Sequence, residues 1–506
     1  MKSTVLNVLT NYGNKLWGIL SIYLFVPLYI QLLGVEAYGI ISFYTVVLSI
    51  ISLADLGLSS AVIKEFSASF SDGYKYSVFK LVEKKYFIIC GTVLLGLLLT
   101  SNFIAVHWLQ TDKFPIEDLT KYVMLISFGV SFHLCSSLYY GALFGLGYQA
   151  RANMYQFFWA LLRTGVVVII LRYVSNSLYS YFFWQIICNV GYVFLLRYSV
   201  LSYFIKRIKV LYLEFVKLPK HILIYIGGMS LISIISAVNT QMDKILISSL
   251  FTLKVFGYYT LASSLAQSPT LLGMPLATSL FPTFVKLVSE RDMDGLKSLF
   301  RISNYILNVI VFIVSFSLYF YISDLFRFWL GNRIEEGYRE DMEFLARTLI
   351  VGTVFLSMQL LFYYALLAFG KTKYTVYQGV FQITMGVPLL YYFIHVLGFR
   401  GAGYSWIVIN LGAYIYLFFP LRKLFDYGFY KLFVNYTVVP FVICLVVFVS
   451  FYFIYSQTLY FHCIFYIAIS SVFAVFCCIF YLFKLSNIPL KLSGFKDLMS
   501  RFRDNK

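Results

Sequence analysis

The sequence predicts an all-α polytopic membrane protein with about fourteen spanning helices. Three observations predict it. Of 506 residues, 60% are hydrophobic and only 12% charged, roughly half the charged share of a soluble domain, and the mean hydropathy is +0.81. Apolar runs of about 20 residues recur down the whole length, each long enough to cross a hydrocarbon core about 30 Å thick. The alternating ten-residue strands of a membrane barrel are absent, which leaves helices as the spanning element.

The spans fall at 5–31, 39–63, 86–108, 121–146, 153–174, 179–204, 221–250, 256–281, 301–323, 344–369, 375–397, 403–421, 433–456 and 461–483. The first reads as a helix of the mature protein rather than a signal peptide. It runs from Val5 to Ile30, carries Asn7, Asn11, Asn14 and Lys15, shows no small-residue cleavage site and leads straight into another span.

The connections alternate in basic content. One side holds Lys64, Lys75, Lys80, Lys84 and Lys85, then Lys206, Arg207, Lys209, Lys217 and Lys220, and further on Lys286, Arg291, Lys297 and Arg301. Lys371, Lys373, Arg422, Lys423 and Lys431 lie on the same side, as does a basic tail after Phe483. The other side is acidic at Asp112, Glu117 and Asp118 and again from Glu335 to Glu343. The positive-inside rule therefore places both termini in the cytoplasm, with an even number of spans. The net charge of +18 follows from the same asymmetry and from anionic headgroups, so it argues against nucleic-acid binding. All seven cysteines lie in apolar spans without CxxC spacing, and read as packing residues.

Two stretches repeat across the midpoint. Tyr140-Gly-Ala-Leu-Phe-Gly-Leu-Gly147 aligns with Tyr363-Tyr-Ala-Leu-Leu-Ala-Phe-Gly370, and Leu33-Gly-Val-Glu-Ala-Tyr-Gly39 aligns more weakly with Phe251-Thr-Leu-Lys-Val-Phe-Gly257, both about 220 residues apart. That offset is six spans, an even number, so the halves share an orientation and a pseudo-twofold axis along the membrane normal. The expected organisation is a first six-helix lobe at 1–206, a basic linker at 207–220 and a second lobe at 221–425. Two further spans follow at 426–484, then a basic tail at 485–506. Two such lobes form a transport architecture that rocks to expose a cavity to either side in turn.

The run Val26-Pro-Leu-Tyr-Ile-Gln-Leu-Leu-Gly-Val-Glu-Ala-Tyr-Gly39, continuing to Leu53-Ala-Asp-Leu-Gly-Leu58, resembles the opening of polysaccharide exporters of the multidrug/oligosaccharidyl-lipid/polysaccharide superfamily. Asp243-Lys-Ile-Leu-Ile-Ser, Val255-Phe-Gly-Tyr-Tyr259, Phe281-Pro282, Phe328-Trp-Leu-Gly331 and Ala368-Phe-Gly-Lys371 extend the resemblance to about residue 425. It implies an O-antigen-type flippase in the bacterial cytoplasmic membrane, carrying an oligosaccharide on undecaprenyl diphosphate. Its partners would be that lipid-linked oligosaccharide, membrane lipids and other polysaccharide-assembly proteins. No cofactor is implied, and the coupling ion, H+ or Na+, stays open. The two C-terminal spans depart from many O-antigen flippases and resemble peptidoglycan-precursor flippases of the same superfamily.

Charges deep in spans cost about 3 kcal/mol each unless they meet water or a partner. The candidates are Lys15, Asp55, Arg163, Arg197, Asp243 and Lys244. Arg163 sits mid-span and does not snorkel easily; it reads as a substrate contact, since its planar fork suits a diphosphate, or as half of a structural ion pair. Lys15 shares a helix face with Asn11 and Asn7, which reads either as cavity lining or as helix-to-helix bonding. Arg197 and Lys244 are further substrate candidates, or snorkel. Gln378 and Gln382 lie one turn apart and would meet sugar hydroxyls or a neighbouring helix. Asp55, Asp243 and His133 are coupling or gating candidates, with an ion pair or simple packing as the alternatives.

Four buried cations against two anions favour an anionic cargo. They argue against an ion-coupled multidrug antiporter of the same superfamily. A membrane glycosyltransferase or polymerase would want a catalytic site on a sizeable loop, and the longest outer connection, about Asp324 to Glu343, is short and lacks histidine. The GxxxxGK[ST] phosphate loop is absent.

Overall fold

A computed structural model describes residues 2–55, 57–67, 71–207, 220–425, 429–456 and 463–486. The basic segment 208–219 and the tail beyond 486 therefore lie outside the described residues.

Every long apolar run forms helix, because a backbone in hydrocarbon must bond within its own segment. The first half comprises α1 (Lys2–Leu33), α2 (Val35–Ile51), α3 (Leu58–Ser67), α4 (Asp72–His107) and α5 (Ile116–Gly145). It continues through α6 (Gln149–Leu161), α7 (Val167–Tyr173), α8 (Leu178–Arg207) and α9 (Lys220–Leu250). The second half comprises α10 (Leu253–Ala266), α11 (Ser268–Ser289), α12 (Met293–Leu330), α13 (Glu336–Ala368) and α14 (Thr372–Leu397), then α15 (Gly401–Phe425), α16 (Phe429–Phe433), α17 (Val439–Ser456) and α18 (Cys463–Ser486). Among the described residues, eleven helical stretches are long and apolar enough to cross a membrane, one of them a 54-residue composite of α14 and α15. The expected fourteen spans each contain helix, but two are not continuous. The span at 39–63 breaks at the 3-10 turn Ser52–Asp55, and that at 256–281 breaks at Gln267, where α11 begins with Ser268-Pro269. Proline lacks the N–H that would continue α10.

The chain forms two compact units, Met1–Thr260 and Leu261–Lys506. Helix α9, placed by sequence at the start of the second lobe, packs on α2, α3 and the Ser52–Asp55 turn of the first unit. In that unit α5 packs against α3, α4 and α8. In the second unit α13 packs against α11, α12 and α15, while α17 and α18 cover α12. Outward faces stay apolar: Phe183, Ile187, Phe194 and Tyr198 form an exposed stripe on α8, as a surface solvated by lipid tails requires.

The repeat is visible as local geometry. Gly147 and Gly370 both take positive φ, 83° and 69°. Behind them Tyr148 N bonds Leu143 O and Lys371 N bonds Leu366 O, both at 2.9 Å. Helices α5 and α13 thus end in the same left-handed glycine cap.

All seven cysteines are free thiols. Cys444 and Cys478 approach to 3.8 Å between sulfurs, packed in the core where α12, α17 and α18 meet.

Candidate functional site

The first unit holds a polar, aromatic nest around Arg163. Between α6 and α7 the chain widens into a π-helical turn, Leu162–Val166, a distortion that disturbs the regular ladder and frequently marks functional sites. Three side chains from other helices bond its carbonyls. Trp184 Nε1 donates to Leu162 O at 2.9 Å, Gln185 Nε2 to Arg163 O at 3.1 Å, and Tyr29 OH to Thr164 O at 2.6 Å. The backbone is thereby held from α1 and α8, while the Arg163 side chain is left uncommitted.

Its guanidinium lies over two rings, 4.9 Å from the Trp159 centroid and 5.7 Å from that of Tyr44. It is half-buried, and among the described residues it has neither an ion-pair nor a hydrogen-bond partner. The rings are fixed in turn. Trp159 stacks with His133 and with Tyr192, at 5.1 and 5.0 Å, and donates to Asn189 Oδ1 at 3.0 Å. Asn189 donates to Gly129 O at 2.8 Å and to the Tyr44 hydroxyl at 3.2 Å. Aromatic faces attract a cation without consuming its N–H groups. A guanidinium held this way keeps its donors free for a bidentate oxyanion.

The other predicted residues are placed differently. Helix α1, which carries Asn11 and Lys15, packs along α6 and the π turn; the side chains of Asn11 and Lys15 lie outside those described. Its described neighbour Asn14 donates to Asn153 O at 2.7 Å, a helix-to-helix bond. Arg197 is neutralised: its Nε bonds Glu83 Oε1 at 2.9 Å, and the same buried carboxylate takes Lys80 at 3.0 Å and the Tyr139 hydroxyl at 2.9 Å. Asp55 accepts from the Ser59 hydroxyl and from Tyr86 OH at 2.5 Å, capping α3. Gln378 donates to Gln359 at 2.6 Å, joining α14 to α13. Gln382 is half-buried in the following turn. Lys244 reaches back to Thr240 O at 3.4 Å. His133 is stacked on Trp159 with a buried Nδ1 that has no partner. Asp243 is 7% exposed; one oxygen accepts from Tyr259 OH at 2.5 Å and the other is buried without a partner. Among the described residues no three His, Cys, Asp or Glu side chains gather as a metal site.

A second feature joins the two repeats within the first unit. The start of α2 crosses the start of α10 so closely that only glycine fits at the contact. A Cβ on Gly39 would fall on the Leu253 carbonyl oxygen, and one on Gly257 would lie 2.7 Å from the Val35 carbonyl oxygen. Val35 and Gly39 correspond to Leu253 and Gly257 in the aligned repeat, so the contact is reciprocal, as about a twofold axis. Ser42 and Thr260, 218 residues apart, share a hydrogen bond at 2.9 Å one turn further on. The segment Trp108–Lys113 clasps the crossing: Trp108 Nε1 donates to Ser248 at 3.0 Å and Leu253 N to Gln110 O at 2.7 Å, while Glu36 accepts from Asp112 N and Lys113 N at 3.1 and 3.3 Å. Sequence reading missed this crossing, although the equal Val35-to-Gly39 and Leu253-to-Gly257 spacing carried its signal.

Comparison with known proteins agrees with this architecture. The sequence pattern of a family described as polysaccharide biosynthesis protein matches residues 30–337, more than half of the chain. A Shigella flexneri protein described as an O-antigen transporter is 21% identical over 383 residues, covering 74% of this chain and 87% of that protein. Among solved structures, the lipid II flippase MurJ in an inward closed conformation matches with a TM-score of 0.73 at 14% identity, over 95% of this chain and 99% of that one. An inward-facing multidrug resistance MATE family transporter of the MOP superfamily matches with a TM-score of 0.64 at 16% identity, over 81% and 94%. At these identities the structural likeness is one of fold.

Proposed function

Because the chain belongs to the polysaccharide biosynthesis protein family, we propose that it flips an undecaprenyl-diphosphate-linked oligosaccharide from the cytoplasmic to the outer leaflet by alternating access. The chain is a multi-pass membrane transporter and not an enzyme. The finer reading rests on one observation above the others: the half-buried Arg163 guanidinium, braced on Trp159 and Tyr44 with all its donors free. An unpaired charge within a span is costly, and a diphosphate would relieve it with two charge-assisted hydrogen bonds. Lys15 on the adjoining α1 is the second cation proposed for the phosphate. Arg197, bound to Glu83, positions helices instead.

Asp243 is the proposed coupling residue, since its bond to Tyr259 reaches the helix that carries Gly257. Uptake of a proton or Na+ at its unpartnered oxygen would change how it holds that helix.

The test is made in the native host. Deleting the gene should abolish the surface glycan and leave its lipid-linked precursor on the cytoplasmic leaflet, and restoring the wild-type gene should reverse both. Arg163→Ala should fail to restore glycan at unchanged membrane abundance. Full restoration by Arg163→Ala would remove the site assignment. Unchanged glycan on deletion, with new sensitivity to cationic dyes, would replace the flippase with a drug exporter.

A further inference from the structure

The second unit contains a cationic cavity that the transport site does not use. It has a volume of about 660 Å³ and lies where the start of α12, α16, the π-helical turn Val434–Val438 and the end of α18 meet. Asp294, Lys297, Ser298 and Arg301 line it from α12. Their i, i+3, i+4, i+7 spacing puts all four on one helix face. Lys431 enters from α16, and Asn435 and Tyr436 from the π turn. Arg301 rests on the Tyr436 ring, 5.7 Å from its centroid. Among the described residues neither Arg301 nor Lys431 has an ion-pair partner. Among the described lining residues, Arg301 and Lys431 therefore present unpaired positive charge, and Asp294 is the one carboxylate. The rest of the wall is apolar: Phe425, Phe429, Leu432 and Leu485.

We propose that this cavity binds the phosphate headgroup of an anionic bilayer phospholipid, with Arg301 and Lys431 on the phosphate and the Phe425–Phe429 wall against the glycerol and upper acyl chain. The charge selects an anion. The apolar wall selects one attached to a lipid, because a free phosphate gains nothing from phenylalanine rings. The position fits as well: these helix ends lie on the face that carries the basic connections, where anionic leaflet lipids meet basic pockets between spans. The inference stands apart from the flippase reading, since a glycerophospholipid here would be a structural or regulatory ligand whatever the cargo.

The experiment uses the full chain in nanodiscs, with native mass spectrometry counting the lipids retained. Wild-type protein should retain phosphatidylglycerol in preference to phosphatidylcholine. Arg301→Gln with Lys431→Gln should weaken that retention about 30-fold, the effect of two surface cations. Arg301→Lys with Lys431→Arg should restore it and thereby separate charge from misfolding. Equal retention by the double Gln variant would overturn the proposal. Displacement of phosphatidylglycerol by millimolar inorganic phosphate alone would overturn the lipid as the source of the phosphate. Preferential retention of a polyprenyl diphosphate at the same residues would reassign the cavity to the cargo.

Discussion

Two arginines in neighbouring spans have opposite fates. Arg163 faces rings and keeps its hydrogen-bond donors, whereas Arg197 meets Glu83 and spends its charge on holding α8 to α4. Side chains that bear charge in hydrocarbon are therefore not equivalent candidates for cargo binding; the partner decides. Arg197→Ala should cost about 2 kcal/mol of stability, the worth of a charge-assisted hydrogen bond. It would be read as a lower melting temperature in detergent, with transport per folded molecule retained. A loss of transport at unchanged melting temperature would show that Arg197 contacts cargo instead. Gln378 follows the same logic, since its amide is committed to Gln359. The identity of these residues was legible in the sequence, but their availability was not.

The proposed site lies where helices depart from regularity. The π turn at Leu162–Val166 is tolerated because Trp184, Gln185 and Tyr29 bond its carbonyls, and it sets Arg163 among the rings. The α2–α10 crossing depends on two absent side chains. Gly→Ala inside a helix normally stabilises by about 1 kcal/mol. At Gly39 the added methyl meets Leu253 backbone, which cannot rotate away, so Gly39→Ala should destabilise by about 1–3 kcal/mol. Gly96→Ala in α4, where a Cβ meets nothing within 4 Å, is the control and should be neutral or stabilising. Thermal unfolding of the two variants compares them directly. Equal shifts would mean that the crossing is loose.

On the scale of the whole molecule, the last helices are part of the second unit's core rather than an appendage. Tyr305 on α12 donates to Cys478 O of α18 at 2.5 Å, and Asn304 and Asn308 donate to Thr437 at 3.1 and 2.9 Å. Ending the chain after Phe425 would strand these buried donors at about 1–3 kcal/mol apiece and expose the apolar face that α17 and α18 cover. The truncated protein should fail to accumulate in membranes, as judged by immunoblot of the membrane fraction. An abundant and active truncated product would contradict this. The repeat alone predicts otherwise, because the last two spans lie outside it.

The sequence by itself determined the helical class, the apolar runs that become helices, the repeated glycine-capped segments and the charge asymmetry of the connections. Those properties are local: a span needs only about 20 apolar residues, and the glycine caps at Gly147 and Gly370 need only their own turns. Tertiary structure alone decided that Glu83 neutralises Arg197, that the span at 39–63 breaks at Ser52, and that Gly39 meets Leu253. Partners of this kind arrive from elements far apart in the chain, 114 residues in the case of Glu83 and Arg197. In a low-dielectric interior the energy of a polar group depends on its partner more than on its identity.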